Sequence, residues 1–161
     1  MEARPVSQSR VVMTEMVLPT HTNSLQTVFG GVIMSWIDIA AAIAAQRHSS
    51  RAVVTASIDE LHFLRPIFTG WVVNLMASVN YVSKTSMEIG VRVEAENPLS
   101  QQRYHTASAY LTFVALDESG KPVHVNALIP ESEQDKKRMK AAEERRRLRL
   151  EKRELLKKYK R

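Results

Sequence analysis

The sequence predicts an α+β fold in which an antiparallel sheet curls around one helix. Three observations predict it. Val32 to Ala45 is an apolar run broken by one charge, Asp38. Thr85 to Ala95 alternates with period two, putting Met87, Ile89, Val91 and Val93 on one face and Glu88, Arg92 and Glu94 on the other, as a strand buried on one side does. The remaining strand-like segments follow one another through short links, which layers a sheet against the helix. The 161 residues suffice for one domain with a real core.

Residues 1–9 are expected to be a disordered start, with no apolar signal segment. Arg10 to Leu18 reads as a first strand, closed by Pro19, which cannot donate to a continuing ladder. A polar loop leads to Gly30, Gly31 and the apolar run. That run is apolar on all sides, which predicts a helix buried all round. At 1.5 Å per residue it is about 21 Å long, short of the roughly 20 apolar residues that cross a bilayer. Arg47 and His48 follow as basic residues suited to the helix C-terminus, with no further role expected. Ala52 to Leu64 reads as a strand with His62 at the sheet edge, ended by Pro66 and Gly70. Trp71 to Val82 and Thr85 to Ala95 should form a hairpin across Ser83-Lys84. Asn97-Pro98 breaks the chain before a last strand, Arg103 to Leu116. Asp117 to Pro122 is a surface turn.

The formal net charge of +6 belongs to the end of the chain. Residues 132–161 hold 14 basic and 6 acidic residues, and residues 1–131 hold 9 and 11. Two units are therefore expected, 1–131 and 132–161. The second has no Gly or Pro and is rich in helix formers. Glu143 and Arg147 stand at i,i+4 as ionic support. Only Tyr159 offers a stacking ring there, so the expectation is a solvated, partly frayed helix on the assembly rather than a nucleic-acid or lipid contact. The absence of cysteine excludes a disulfide frame, a thiolate nucleophile and a cysteine zinc site. It fits a reducing compartment, and the cytoplasm is expected. The five histidines show no HxH or HxxxH spacing for a metal, and no G-x-S-x-G elbow is present.

Asp38 is the residue that needs a reason. A carboxylate among apolar side chains must find partners. Ser35 or a backbone amide could supply them, or the carboxylate could serve catalysis. Gly30 and Gly31 sit where the first helical N–H groups lack intrahelical partners, at the positive end of the helix dipole, suited to a polarised oxygen. Asn23 is an amide in the loop feeding that end. It either shapes a turn or joins the glycines and Asp38 in a hydrolytic constellation.

The pattern T-N-x-x-x-x-V-F-G-G-x-x-M-x-W-I-D-x-A-A, Thr22 to Ala41, resembles the hotdog-fold acyl-CoA thioesterases, in the acyl-CoA hydrolase branch of bacterial short-chain and brain-type cytosolic enzymes. The resemblance continues through VTASIDELHFLRPI, KTSMEIGVRVEAE and YHTASAYLTFVALDESGKP, covering about Arg10 to Pro130. It implies a five- to six-stranded antiparallel sheet around the central helix, with the basic helix appended. It implies dimers with a continuous sheet, sites between subunits, and hexamers built as trimers of dimers. The implied reaction is hydrolysis of acyl-CoA to free fatty acid and CoA, with no cofactor, since CoA is part of substrate and product. Asp38 would be general base or nucleophile, facing Asn23 across the dimer interface. The Gly31 N–H would hold the oxyanion and Gly30 permit its approach. Lys84, Thr85 and Ser86 border the implied CoA site, with Arg65 as a further candidate. The strand Thr55 to Ile58, with Ser57 and Ile58 as site candidates, would run along the pantetheine arm as an added strand does. The family usually has glycine where Gln26 stands. The alternatives are a non-enzymatic acyl-CoA sensor and a hotdog hydratase. The hydratase needs a histidine, and none lies between Thr22 and Ala45.

Overall fold

A computed structural model describes residues 1–160; Arg161, the last residue of the basic tail, lies outside the described residues. In chain order the elements are β1 (Arg4–Pro5), a 3₁₀ turn (Val6–Ser9), β2 (Val11–Met16), a second 3₁₀ turn (Pro19–His21), α1 (Gly30–Ser49) and β3 (Ala52–Ile58). There follow β4 (Val72–Val82), β5 (Ser86–Glu96), β6 (Arg103–Leu116), β7 (Leu128–Ile129) and α2 (Glu133–Lys157). The main sheet is five-stranded and antiparallel, in the order β2-β4-β5-β6-β3. Its two edges are therefore β2 and β3.

Period-two alternation sorts the faces as expected. Met87, Ile89, Val91 and Val93 are at most 3% exposed. They share the inner layer with Leu75, Val79, Leu111 and Phe113. Onto this layer α1 lays Ile33, Trp36, Ile37, Ala40, Ala41, Ala44 and Ala45. The alanines let the helix axis approach the sheet closely. The helix is 20 residues long, not the shorter run from Val32, and within one chain it is covered on one side. Met34 and Ile39 are 40% and 49% exposed, because the sheet of one chain covers only one side of it.

Several expectations are corrected. Residues 1–9 are ordered: β1 pairs in parallel with β7, and Val6 and Ser9 are buried. Ser9 Oγ donates to the Val6 carbonyl and accepts from Val79 N–H, at 2.7 and 3.0 Å. Short polar side chains in that sequence gave no periodic signal, yet they satisfy a strand. His48 is fully buried, with Nε2 2.8 Å from the Asn126 carbonyl. Arg4 donates to the His48 carbonyl at 2.6 Å, tying the first residues to the end of α1. The strand from Ala52 stops at Ile58 after an irregularity between Thr55 and Ser57. His62 is thus not a strand residue; it is exposed, 3.7 Å from Glu60.

The basic tail is a docked helix over its first half. Ser132 caps it, accepting from Asp135 N–H at 3.1 Å. It crosses the outer face of the sheet, where Glu88 points outward as the alternation requires. Glu88 is nevertheless only 2% exposed. Arg145 meets it at 2.6 Å and Arg149 at 2.9 Å, and Arg149 also reaches Asp59 at 2.8 Å. The Arg145 guanidinium lies 3.7 Å above the Tyr110 ring. Arg147 pairs with Glu144 and Glu151 rather than with Glu143. Beyond residue 150 every described residue is exposed.

Candidate active site

The loop before α1 is built around Asn23. Its Oδ1 accepts from Leu25 N–H at 3.0 Å, Thr27 N–H at 3.2 Å and the Thr27 hydroxyl at 3.1 Å. Gln26 N–H donates to the Asn23 carbonyl at 2.9 Å, closing a tight turn. Asn23 therefore does shape a turn, through its oxygen. Its amide N–H₂ is left over as a pair of donors. Gln26 has φ +59°, the left-handed region where a Cβ is costly and glycine is favoured. This is the position where the resembling family carries glycine.

The loop is pinned beside the helix start. Phe29 N–H donates to the His21 carbonyl at 3.0 Å, and Val28 N–H to the Ile67 carbonyl at 2.9 Å. The His21 ring sits edge-on to Trp36, with centroids 5.1 Å apart. Phe29 is the N-cap of α1 and no side chain caps it, so the first N–H groups point outward without a capping partner. A Cβ on Gly30 would lie 3.1 Å from the Phe63 ring, whereas one on Gly31 would meet nothing within 4 Å. Gly30 thus gives room to Phe63, and the space over Gly31 is open.

Asp38 lies two turns along α1, half-buried, between the packed face and the exposed flank of Met34 and Ile39. Ser35 does not satisfy it, since its hydroxyl donates to the Val32 carbonyl at 2.7 Å. The partner is Thr55 on β3, whose Oγ1 donates to Asp38 Oδ1 at 2.7 Å. One hydroxyl proton engages one carboxylate oxygen, which orients the acid and leaves its second oxygen with no hydrogen-bond partner among the described residues. Sequence reasoning missed Thr55 as a partner. Helix-to-strand contacts leave no spacing signal, although Thr55 lies within the resembling segment.

The remaining candidates divide. Ser57, Ile58, Thr85 and Ser86 line one groove of about 1300 Å³ between the sheet and α2. Lys84 and Arg65 are not among its lining residues. Lys84 is exposed at the hairpin, and Arg65 lies with its guanidinium 4.8 Å from the Tyr104 ring. The groove's other wall is the set of arginines and lysines of α2, which sequence reasoning treated as a solvated face.

Comparison with known proteins gives consistent matches. Residues 25–100 match the model of the thioesterase superfamily. An uncharacterized acyl-CoA thioester hydrolase of Bacillus subtilis is 45% identical over 134 residues, 83% of this chain and 78% of the relative. A hexameric acyl-CoA thioesterase superposes with a TM-score of 0.91 at 40% identity, covering 94% of this chain and 97% of that one. An acyl-CoA hydrolase from Staphylococcus aureus, solved with butyryl-CoA, CoA and CoA disulfide, superposes with a TM-score of 0.88 at 38% identity over 98% of both chains. That enzyme has also been solved with single alanine substitutions of an aspartate, a threonine and an asparagine.

Proposed function

The chain belongs to the thioesterase superfamily, and from that premise we propose that it hydrolyses acyl-CoA thioesters to a free acid and CoA, with Asp38 as the catalytic carboxylate. The observation that carries the assignment is the Asp38–Thr55 hydrogen bond at 2.7 Å, on the helix whose N-terminus is uncapped. The S. aureus substitutions support it. Their asparagine, aspartate and threonine stand 15 and 17 residues apart in that order, as Asn23, Asp38 and Thr55 do here.

Each group has a role that its geometry suits. Thr55 holds one oxygen of Asp38, and the other takes a proton from water or attacks the thioester carbon directly. The Gly31 N–H, with open space above it, donates to the carbonyl oxygen as charge develops there. Such donors are worth about 2.7–4 kcal/mol in other enzymes. The free amide N–H₂ of Asn23 donates to the carbonyl or orients the water. In this reading Asn23 reaches Asp38 across a dimer interface, where each chain completes the other's site.

The exposed features fit such a pairing. β3 is a sheet edge with an open ladder, next to the exposed apolar side chains Val54, Met34 and Ile39. Open edges and contiguous apolar patches are surfaces that partners cover. Pairing two β3 edges would make one continuous sheet with the two α1 helices side by side, and three such dimers a hexamer. Residues 1–131 are then the catalytic unit and 132–161 an appended helix, in a protein expected in the cytoplasm. No helix is long and apolar enough to cross a membrane among the described residues. The sensor alternative is met by the same test. Thiol release from a series of acyl-CoA esters is expected for the full chain. CoA binding without release would refute hydrolysis and favour the sensor.

A further inference from the structure

Resting on the reading of acyl-CoA as substrate, we infer that α2 is a substrate-binding element, and that its basic stripe receives the phosphates of the CoA nucleotide. Arg146, Arg149, Arg153, Lys157 and Lys160 recur three or four residues apart and all line the groove between α2 and the outer face of the sheet. That spacing places the first four on one face of α2, and Lys160 lies just past the helix end at Lys157. Two of them are engaged: Arg149 with Asp59 and Glu88, and Lys157 with Glu154. Among the described residues Arg146, Arg153 and Lys160 have no ion-pair partner, and Arg146 is half-buried. A guanidinium drawn partly out of water without an anion is costly unless an anion arrives.

The opposite wall is made of hydroxyls. Ser57, Ser86 and Thr112 line the groove, and Thr112 Oγ1 is buried with no hydrogen-bond partner among the described residues. This second, independent vacancy points to a polar ligand. A wall of hydroxyls facing a row of guanidinium and ammonium groups is the chemistry that recognises phosphate.

The position ties the groove to the reaction. Alternation along β3, with its irregularity after Thr55, pairs Thr55 with inner-face Phe113 and Ser57 with outer-face Thr112. Thr55 therefore meets Asp38 inside, while Ser57 lines the groove outside. A thioester on a long flexible arm can hold its carbonyl at Asp38 and its diphosphate and ribose phosphate in the groove, passing beyond the end of β3, where Asp59 and Glu60 also line the groove. A groove closed by one helix against one sheet suits a single nucleotide better than a continuous polynucleotide. Glu88 then has two jobs for α2: it anchors the helix through Arg145 and Arg149, and it leaves the next stripe residues free.

The test uses the full chain and the double variant Arg146→Ala/Arg153→Ala, which removes no ion pair seen in the structure. Hydrolysis of an acyl-CoA is compared with that of the same acyl-pantetheine, which lacks phosphates. We expect the ratio of kcat/KM for acyl-CoA over acyl-pantetheine to fall roughly tenfold or more, through KM, as loss of charge-assisted hydrogen bonds implies. An unchanged ratio would overturn the proposal, as would an equal fall for both substrates. Calorimetric titration of CoA, pantetheine and adenosine 3′,5′-bisphosphate reads the groove without catalysis. Weaker CoA and bisphosphate binding in the variant, with pantetheine unaffected, would support it even if no ester is cleaved. Bisphosphate that binds without competing with acyl-CoA would indicate a separate nucleotide site and overturn it.

Discussion

In the proposed reaction Asp38, Thr55 and Asn23 carry the chemistry, and Asp38 and Thr55, both partly exposed, can be replaced with little loss of packing. Asp38→Asn keeps size and a hydrogen-bond acceptor but removes the base. Turnover should fall by roughly 10²–10⁴, measured as thiol release, with an unchanged circular dichroism spectrum. Retention of near-normal turnover would end the assignment. Thr55→Ala should lower kcat more than it raises KM, because it frees the carboxylate to rotate without touching the acyl chain. Gln26 offers a stability test at the same scale. Its φ of +59° strains a side chain, so Gln26→Gly should stabilise the fold by up to about 1 kcal/mol in urea unfolding. The backbone there explains why the family's glycine is favoured, and why Gln is tolerated in a turn already held by Asn23.

At the scale of elements, two joints decide how the parts sit. The first is the end of α1 against the N-terminal strand. Burial holds the His48 imidazole below its ordinary value of 6.5, against the raising effect of the bond to Asn126. A depressed folded pKa means that the unfolded chain binds the proton first. Stability from His48 is therefore full above pH 6.5 and is lost as pH falls below that value. Thermal melts from pH 8 to 5 should show this acid loss, and His48→Gln should flatten it. The second joint is Glu88 beneath α2. Glu88→Ala strands Arg145 and Arg149, but both are about a quarter exposed and can rehydrate. The expected result is local: α2 becomes cleavable by trypsin while the 1–131 unit resists. Loss of the whole fold would mean that α2 is part of the core.

The molecule as a whole has an open side. Its inner layer is closed by α1, its outer layer by α2, and the β3 edge with Val54, Met34 and Ile39 is left open among the described residues. Val54→Asp puts a charge on that edge. Sedimentation should show smaller species, and turnover should fall about 100-fold or more if sites form between chains. Full activity in a monomer would remove Asn23 from the opposite side of the site.

Much was legible in the residues themselves. Alternation placed Met87 to Val93 inside, and Asp38 stood out as the one charge in an apolar run, because periodicity and burial cost act locally along the chain. The Asn23, Gly30, Gly31 and Asp38 pattern pointed to the site through resemblance. Three dimensions decided the rest. Thr55 reaches Asp38 from a strand, and His48 and Ser9 are buried polar groups satisfied by distant backbone. Glu88 looks solvent-facing by alternation and is covered by helix residues such as Arg145, 57 residues later in the chain. The all-apolar α1, by contrast, already called for a second cover, since one sheet face buries only one side of a helix. Contacts between elements leave no period in the chain, so only the tertiary structure could assign them.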